Sequence, residues 1–243
     1  MELPVLQAQC DQCFGLCCVL VPFFKADGFG DDKPSGVPCR HLDQDDRCSI
    51  HERLLSSGWS GCSRFDCFGA GQHVSQVTYA GRSWREHGNL GEMAAVLSVM
   101  RQLHEMLVLL DEADRRGTGS AAPLLAHVVA LVHSTPAQLL AVDLDDVRTW
   151  VRPCLDHTRQ AAAERWPEAV DHFRHDLAGR DLRGRDLRGA NLTGSLLIGA
   201  DLREADLTDA CLLGADVRDA DARGALVEDA LFLTGPQRAA MRT

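Results

Sequence analysis

The chain has 243 residues, 45% of them hydrophobic, and a formal charge of −10, enough for one large domain or two or three small ones with cores of their own. That charge argues against a broad polyanion-binding surface, because nucleic-acid affinity rests largely on Lys and Arg neutralising phosphates, so direct nucleic-acid binding is not expected. No apolar run reaches the roughly 18 residues of a membrane span, and the start, MELPVLQAQCDQC, lacks the basic and apolar regions of a secretion signal; a cytoplasmic protein without membrane association is expected.

Ten cysteines then need another explanation than a disulfide framework, since cytosolic thiols are kept reduced. Eight fall within the first 67 residues, leaving Cys154 and Cys211 for the rest. Lys25 and Lys33 are the only lysines among 25 basic residues, an arginine bias expected of a high-GC bacterial genome.

Residues 1–83 are rich in Cys, Gly and Pro and carry only short apolar runs such as Val19–Phe24, so cross-links must substitute for buried area. The cysteines read Cys10-x2-Cys13-x3-Cys17-Cys18, Cys39-x8-Cys48 and Cys62-x4-Cys67. This order resembles the zinc- or iron-chelating family defined by a C-x2-C-x3-C-C start, which continues with a C-x-I-Y/H segment, here Cys48-Ser49-Ile50-His51, and ends near C-x-x-F-x-C, here Cys62-Ser63-Arg64-Phe65-Asp66-Cys67. The resemblance covers about residues 10–67, with Asp66 where Pro is usual and His51 where Tyr is common. It implies that these eight cysteines bind zinc or iron. Zinc takes four Cys or Cys/His ligands, and iron–sulfur clusters take Cys almost exclusively, so eight thiolates serve two zinc ions or two clusters. Vicinal Cys17 and Cys18 diverge and suit a bimetallic site or one ligand beside a bystander. His51 either adds a nitrogen ligand or replaces an aromatic. Disulfides and unliganded buried thiols are the alternatives.

From Trp84 the pattern turns helical. In Asn89–Arg116, Met93, Val96, Leu97, Met100, Leu103, Leu107 and Leu110 recur at three- and four-residue steps, one stripe of an amphipathic helix, which Gly117-Thr118-Gly119-Ser120 ends. Further helices are expected over Pro123–His133, from Thr135-Pro136 and after Asp143 or Asp145, with Pro153 kinking or restarting the last. Trp166-Pro167-Glu168 opens a short helix to His175, expected to cap the C-terminal region. Cys154 and His157 stand one helical turn apart and are read as a packed thiol and its neighbour rather than a ligand pair. His104, His127 and His133 are read as surface or satisfied core groups.

Every fifth residue from Leu177 to Phe232 is apolar, and from Ala190 onward the residue two places before each is small, with Asp or Asn at most positions between. A period of five fits neither helix nor strand. The A-D/N-L-x-x pattern, as in Ala200-Asp201-Leu202-Arg203-Glu204, resembles the pentapeptide-repeat family. The resemblance implies a right-handed quadrilateral β-helix with four pentapeptides per coil, here twelve frames and about three coils, roughly 14 Å tall. Cys211 takes an Asp/Asn position as a tolerated small residue. Arg180, Arg183, Arg185 and Arg188 alternate with Asp181 and Asp186, a solvated mixed-charge face.

The fold class expected is therefore multidomain α+β: a Cys-rich metal-bound module (1–83), a helical bundle (84–174), a short pentapeptide β-helix (175–235) and a C-terminal tail (236–243). The function expected is a metal-binding accessory protein whose helices and β-helix dock a protein partner; no nucleophile–base pair can be assigned from spacing, so an enzyme is not favoured. A metal-dependent oxidoreductase with an iron–sulfur or mixed metal site is the alternative. A DNA mimic that protects a topoisomerase comes third, because the stack spans less than half of a DNA turn of about 34 Å and its twelve acidic residues from Asp176 to Phe232 face seven basic ones.

Overall fold

The computed structural model describes residues 2–117 and 121–243. Short helices punctuate the first part: α1 (Leu16–Leu20), α2 (Ser60–Arg64), α3 (Ala70–Gln72), which runs on into a π-helical turn over His73–Thr78, and α4 (Trp84–His87). The long helix α5 (Leu90–Arg115) comes next, then α6 (Ala122–Val132), α7 (Pro136–Leu140), α8 (Leu144–Ala163) and, near the end, α9 (Gly235–Ala240). The expected stop signal at 117–120 lies mostly outside the described residues.

The chain forms two compact units, residues 1–114 with 119–152, and residues 115–118 with 153–243. Residues 1–83 and helices α5 to α7 thus share one unit. Its core is the apolar stripe of α5, where Met93, Val96, Met100, Leu103, Leu107 and Leu110 are fully buried, each contributing about 1.5–3 kcal/mol by burial. By length and hydropathy α5 could cross a membrane, but 56% of its apolar window is buried within the protein, as in a core helix. Local chemistry sets the helix starts. Ser83 and Glu86 form a reciprocal capping box on α4, and Thr135 and Gln138 one on α7, each satisfying two otherwise orphaned main-chain donors.

Helix α8 runs on through Pro153 rather than restarting there, because a long helix can forgo the one hydrogen bond that proline forfeits. One expectation for this stretch is corrected. The short helix expected from Pro167 to His175 does not form. Asp171 already pairs with Asn191 in a parallel bridge, and its Oδ1 accepts the Phe173 amide at 2.9 Å. His172 occupies the repeat's central position, so the pattern begins one frame earlier than its leucines announce.

From there the second unit is a stack of pentapeptides. Among the described residues no extended strand forms. Single-residue parallel bridges join positions twenty apart, Asp171 to Asn191 to Cys211 to Leu231 and likewise on three further rows, which makes four pentapeptides per coil. The recurring Asp and Asn close the turns: Oδ1 of Asp176, Asp181, Asp186, Asn191, Asp201, Asp206, Asp216 and Asp221 each accepts the amide two residues on, an Asx turn. The small and central residues fill the interior, with Ala190, Leu192, Leu197, Ala200, Leu202, Ala205, Leu207, Ala210 and Leu212 all wholly buried.

Residues 236–243, expected as a tail, are ordered onto the last coil. Gln237 on α9 donates to the Leu212 and Ala215 carbonyls, both at 2.9 Å, Met241 is buried in the stack's core, and Arg242 bridges Asp221. This segment hides the open end that a solenoid must cap. In the middle of the stack, Asp209 is buried and accepts from Arg116, Arg165 and the Trp166 indole at 2.9–3.2 Å, pinning the segment that enters the repeats.

Candidate functional site

Three separated stretches bring the N-terminal cysteines together. Gly15, in the left-handed region at φ 61, turns the chain into α1, which carries Cys17 and Cys18; a Cβ there would stand 2.4 Å from Leu42. The Cys39 amide donates to the Cys18 carbonyl at 2.9 Å, and Leu42 bridges Cys48 across a tight antiparallel turn. Within that turn Asp43 Oδ1 accepts the Asp45 and Arg47 amides. Cys62 lies on α2, docked by the Gly61 amide on the Gly28 carbonyl at 2.7 Å. Cys67 precedes a turn in which Phe68 and Gly69 both take positive φ. Gly71 then lets α3 pass close to two thiols: a Cβ at that position would stand 2.9 Å from the Cys13 sulfur and 3.5 Å from that of Cys67.

The result is one cavity of about 600 Å³ lined by Cys10, Cys13, Cys17, Cys18, Cys48, Cys62 and Cys67, with His51 also on its wall. Cys39 does not line it, but is buried beneath it in a small core with Phe23, Ile50 and Trp59 and interacts electrostatically with Cys48 and Cys62. All eight are free thiols. Among the described residues no three His, Cys, Asp or Glu side chains stand close enough to hold one ion. The donors therefore ring a space larger than a single-ion pocket.

Electrostatics are unfavourable to thiolates without a counter-charge. Burial, then the neighbouring thiols, pushes Cys10 and Cys62 up to about 12; Cys13 also reaches about 12, with burial again the main cause. Burial also raises Cys48 and Cys67, and a hydrogen bond with Cys18 followed by burial raises Cys17 well above the ordinary thiol value. A cation would reverse this, because a coordinated thiol is deprotonated outright. The donor set fits a thiophilic metal, whereas the distances do not form a closed tetrahedral site.

Arg47 and Arg53 line the cavity with the thiols, and a further positive group that interacts with them was missed by sequence reasoning. Lys33 is buried, donating to the carbonyls of Val19, Val21 and Pro34 at 2.7–3.2 Å. Burial lowers its pKa, while Cys39, Cys18 and Cys17 pull it the other way. Its setting in Asp31-Asp32-Lys33-Pro34 reads as a surface turn; its rarity among arginines is the one signal the sequence offers. The module is clamped to the helices by Trp84, whose indole donates to the Phe14 carbonyl at 3.0 Å, and by Arg85, which pairs with buried Asp46 at 2.9 Å.

The remaining cysteines are elsewhere. Cys154 is buried on α8 and His157, one turn on, is exposed, so they do not face one site. Cys211 is buried in the stack, with its sulfur 3.3 Å from the Thr193 hydroxyl.

Comparison with known proteins bears on the stack. The family model "Pentapeptide repeats" matches residues 186–224, in eight copies. These residues are pentapeptide repeats. The chain is also 50% identical over 109 residues to "Uncharacterized protein YybG" of Bacillus subtilis (strain 168). That stretch is 44% of this chain and only 39% of the relative's length. No solved structure matches.

Proposed function

We propose that this chain is a metal-binding accessory protein, in which the eight N-terminal cysteines hold zinc or iron and the pentapeptide stack serves as a scaffold for docking a protein partner. The observation that carries the reading is the convergence of seven cysteines, from three separate stretches of sequence, on one cavity. Buried thiols that repel one another as anions are what a metal would stabilise, and metal binding would draw the ring inward as it deprotonates. Lys33 would offset part of the negative charge that eight thiolates bring. The right-handed, four-sided β-helix implied by the resemblance is the reading of the stack that its twenty-residue bridge spacing supports.

The same cavity favours one second reading. A zinc saturated by four thiolates is a closed staple, whereas reactivity needs an open position or an electron-transfer cluster; 600 Å³ leaves room for a cluster and a small substrate, as in a metal-dependent oxidoreductase. The stack's acidic residues speak against a DNA mimic, because Asp181, Asp186, Asp201, Asp216 and Asp221 are each ion-paired with the arginine two residues on.

Elemental analysis with ultraviolet–visible spectroscopy on full-length protein purified without oxygen tests the proposal. Bound zinc or iron is expected, with Cys13→Ser and Cys48→Ser each losing it. A visible sulfur-to-iron absorption band would select the oxidoreductase reading. Unchanged metal content in both variants would remove the site.

A further inference from the structure

We propose that His73 and His133 form a second, independent metal site, for a divalent first-row transition cation bound through imidazole nitrogen. A chain of buried hydrogen bonds fixes the tautomers. His104, on α5, is wholly buried, and its Nδ1 lies 2.7 Å from the Phe68 carbonyl oxygen. A carbonyl only accepts, so that nitrogen carries the proton and His104 Nε2 is a bare lone pair. It faces His73 Nδ1 at 3.2 Å, which must therefore be the donor. His73 Nε2 is left as a lone pair as well. His73 is 5% exposed, and among the described residues this nitrogen meets no hydrogen-bond partner.

A buried acceptor without a donor is unfavourable, and it has the form of a ligand. A metal-binding histidine characteristically donates its other N–H to an orienting group, and His73 does so through His104 to a main-chain carbonyl. A second imidazole stands beside it. The His133 ring centroid is 5.1 Å from that of His73, and both residues line a cavity of about 380 Å³. Burial followed by the neighbouring imidazoles lowers His73 to about 4, and burial is the main cause of the same shift at His104, which favours the neutral rings that the hydrogen bonds require; the free lone pair is that of His73 Nε2. Imidazole suits zinc, copper, nickel and iron. With two imidazoles the site is open, water completing the shell, and so differs from a closed structural site. The π-helical turn over His73–Thr78 belongs to a class of distortion found frequently at functional sites.

The test is zinc titration of anaerobic full-length protein against a chromophoric chelator, with elemental counting of bound equivalents. Wild type is expected to bind one equivalent that His133→Ala and His73→Gln both lose while keeping the thiol-bound metal, and that Cys13→Ser retains. Cobalt in that equivalent should give no sulfur-to-metal charge-transfer band. His133 is exposed, so its variant keeps the fold, checked by circular dichroism. Equal stoichiometry in wild type and His133→Ala, or a sulfur band from the His-dependent equivalent, would overturn the site. Wild type that binds only the His-dependent equivalent, with Cys13→Ser unchanged, would count against the thiol proposal and support this one.

Discussion

The pentapeptide stack and the thiol-lined module handle their buried groups in opposite ways. In the stack the interior is a ladder of Ala, Leu and Val interrupted by buried Ser195, whose hydroxyl is satisfied by the Leu192 carbonyl; Asx side chains close the turn amides, and Asp181, Asp201 and Asp221 are paired with arginines two residues on. Around the cysteines a smaller apolar cluster buries Phe23, Cys39, Ile50 and Trp59, and α1 buries Leu16 and Val19, while six thiols are held at raised pKa by burial and by one another. Repetition supplies the stability of one region; in the other the proposed metal would act as the cross-link.

That contrast can be broken in graded steps. The largest effect should come from stripping metal with a chelator under reducing conditions. Residues 1–83 should lose hydrogen-exchange protection while residues 190–233 keep theirs, and equal loss in both would end the comparison. Next, Leu207→Ala in the stack, where the side chain is wholly buried, should cost about 2–5 kcal/mol in thermal or denaturant unfolding, with metal content unchanged. Asp209→Ala should cost about 1–3 kcal/mol, since it strands the Trp166 indole and releases Arg116 and Arg165, which are partly exposed; Asp209→Asn should restore part of that.

The smallest effect is in pH. Hydrogen bonds from Arg183, Arg188 and Arg223 hold Asp181, Asp186 and Asp221 at about 2, below the unfolded value near 4. A depressed folded pKa gives stability that is present above about pH 4 and lost as pH falls toward 2. Asp181 and Asp186 are exposed and salt-screened, and Asp221 is half-buried beside Arg223, so the stack's melting temperature should fall only slightly across that window, and less at high salt.

How legible these features were in the sequence tracks the same divide. The repeat's period could be read because a solenoid repeats its environment every five residues, so each frame testifies to the others. Its first frame was hidden because His172 stands where leucine is usual, and its last segment because α9 caps through Gln237 and Met241 rather than through the repeat. The α5 stripe was legible from its three- and four-residue spacing. At the thiol cavity the cysteine spacing marked the donors, but Lys33, Gly71 and the Asp46–Arg85 clamp act through contacts remote in sequence. For His104 the sequence leaves a surface or a satisfied core group open; burial and the bond to Phe68 select the second, yet its coupling to His73 depends on a tertiary contact that no local pattern encodes.

The central claim, that the eight N-terminal cysteines hold metal, is tested most directly by counting metal in anaerobically purified full-length protein beside its Cys13→Ser variant. Zinc or iron at one or more equivalents per chain, falling by at least one in the variant, is the predicted result. A wild-type protein whose thiols all react with an alkylating reagent, and whose metal content matches that of the variant, would contradict it.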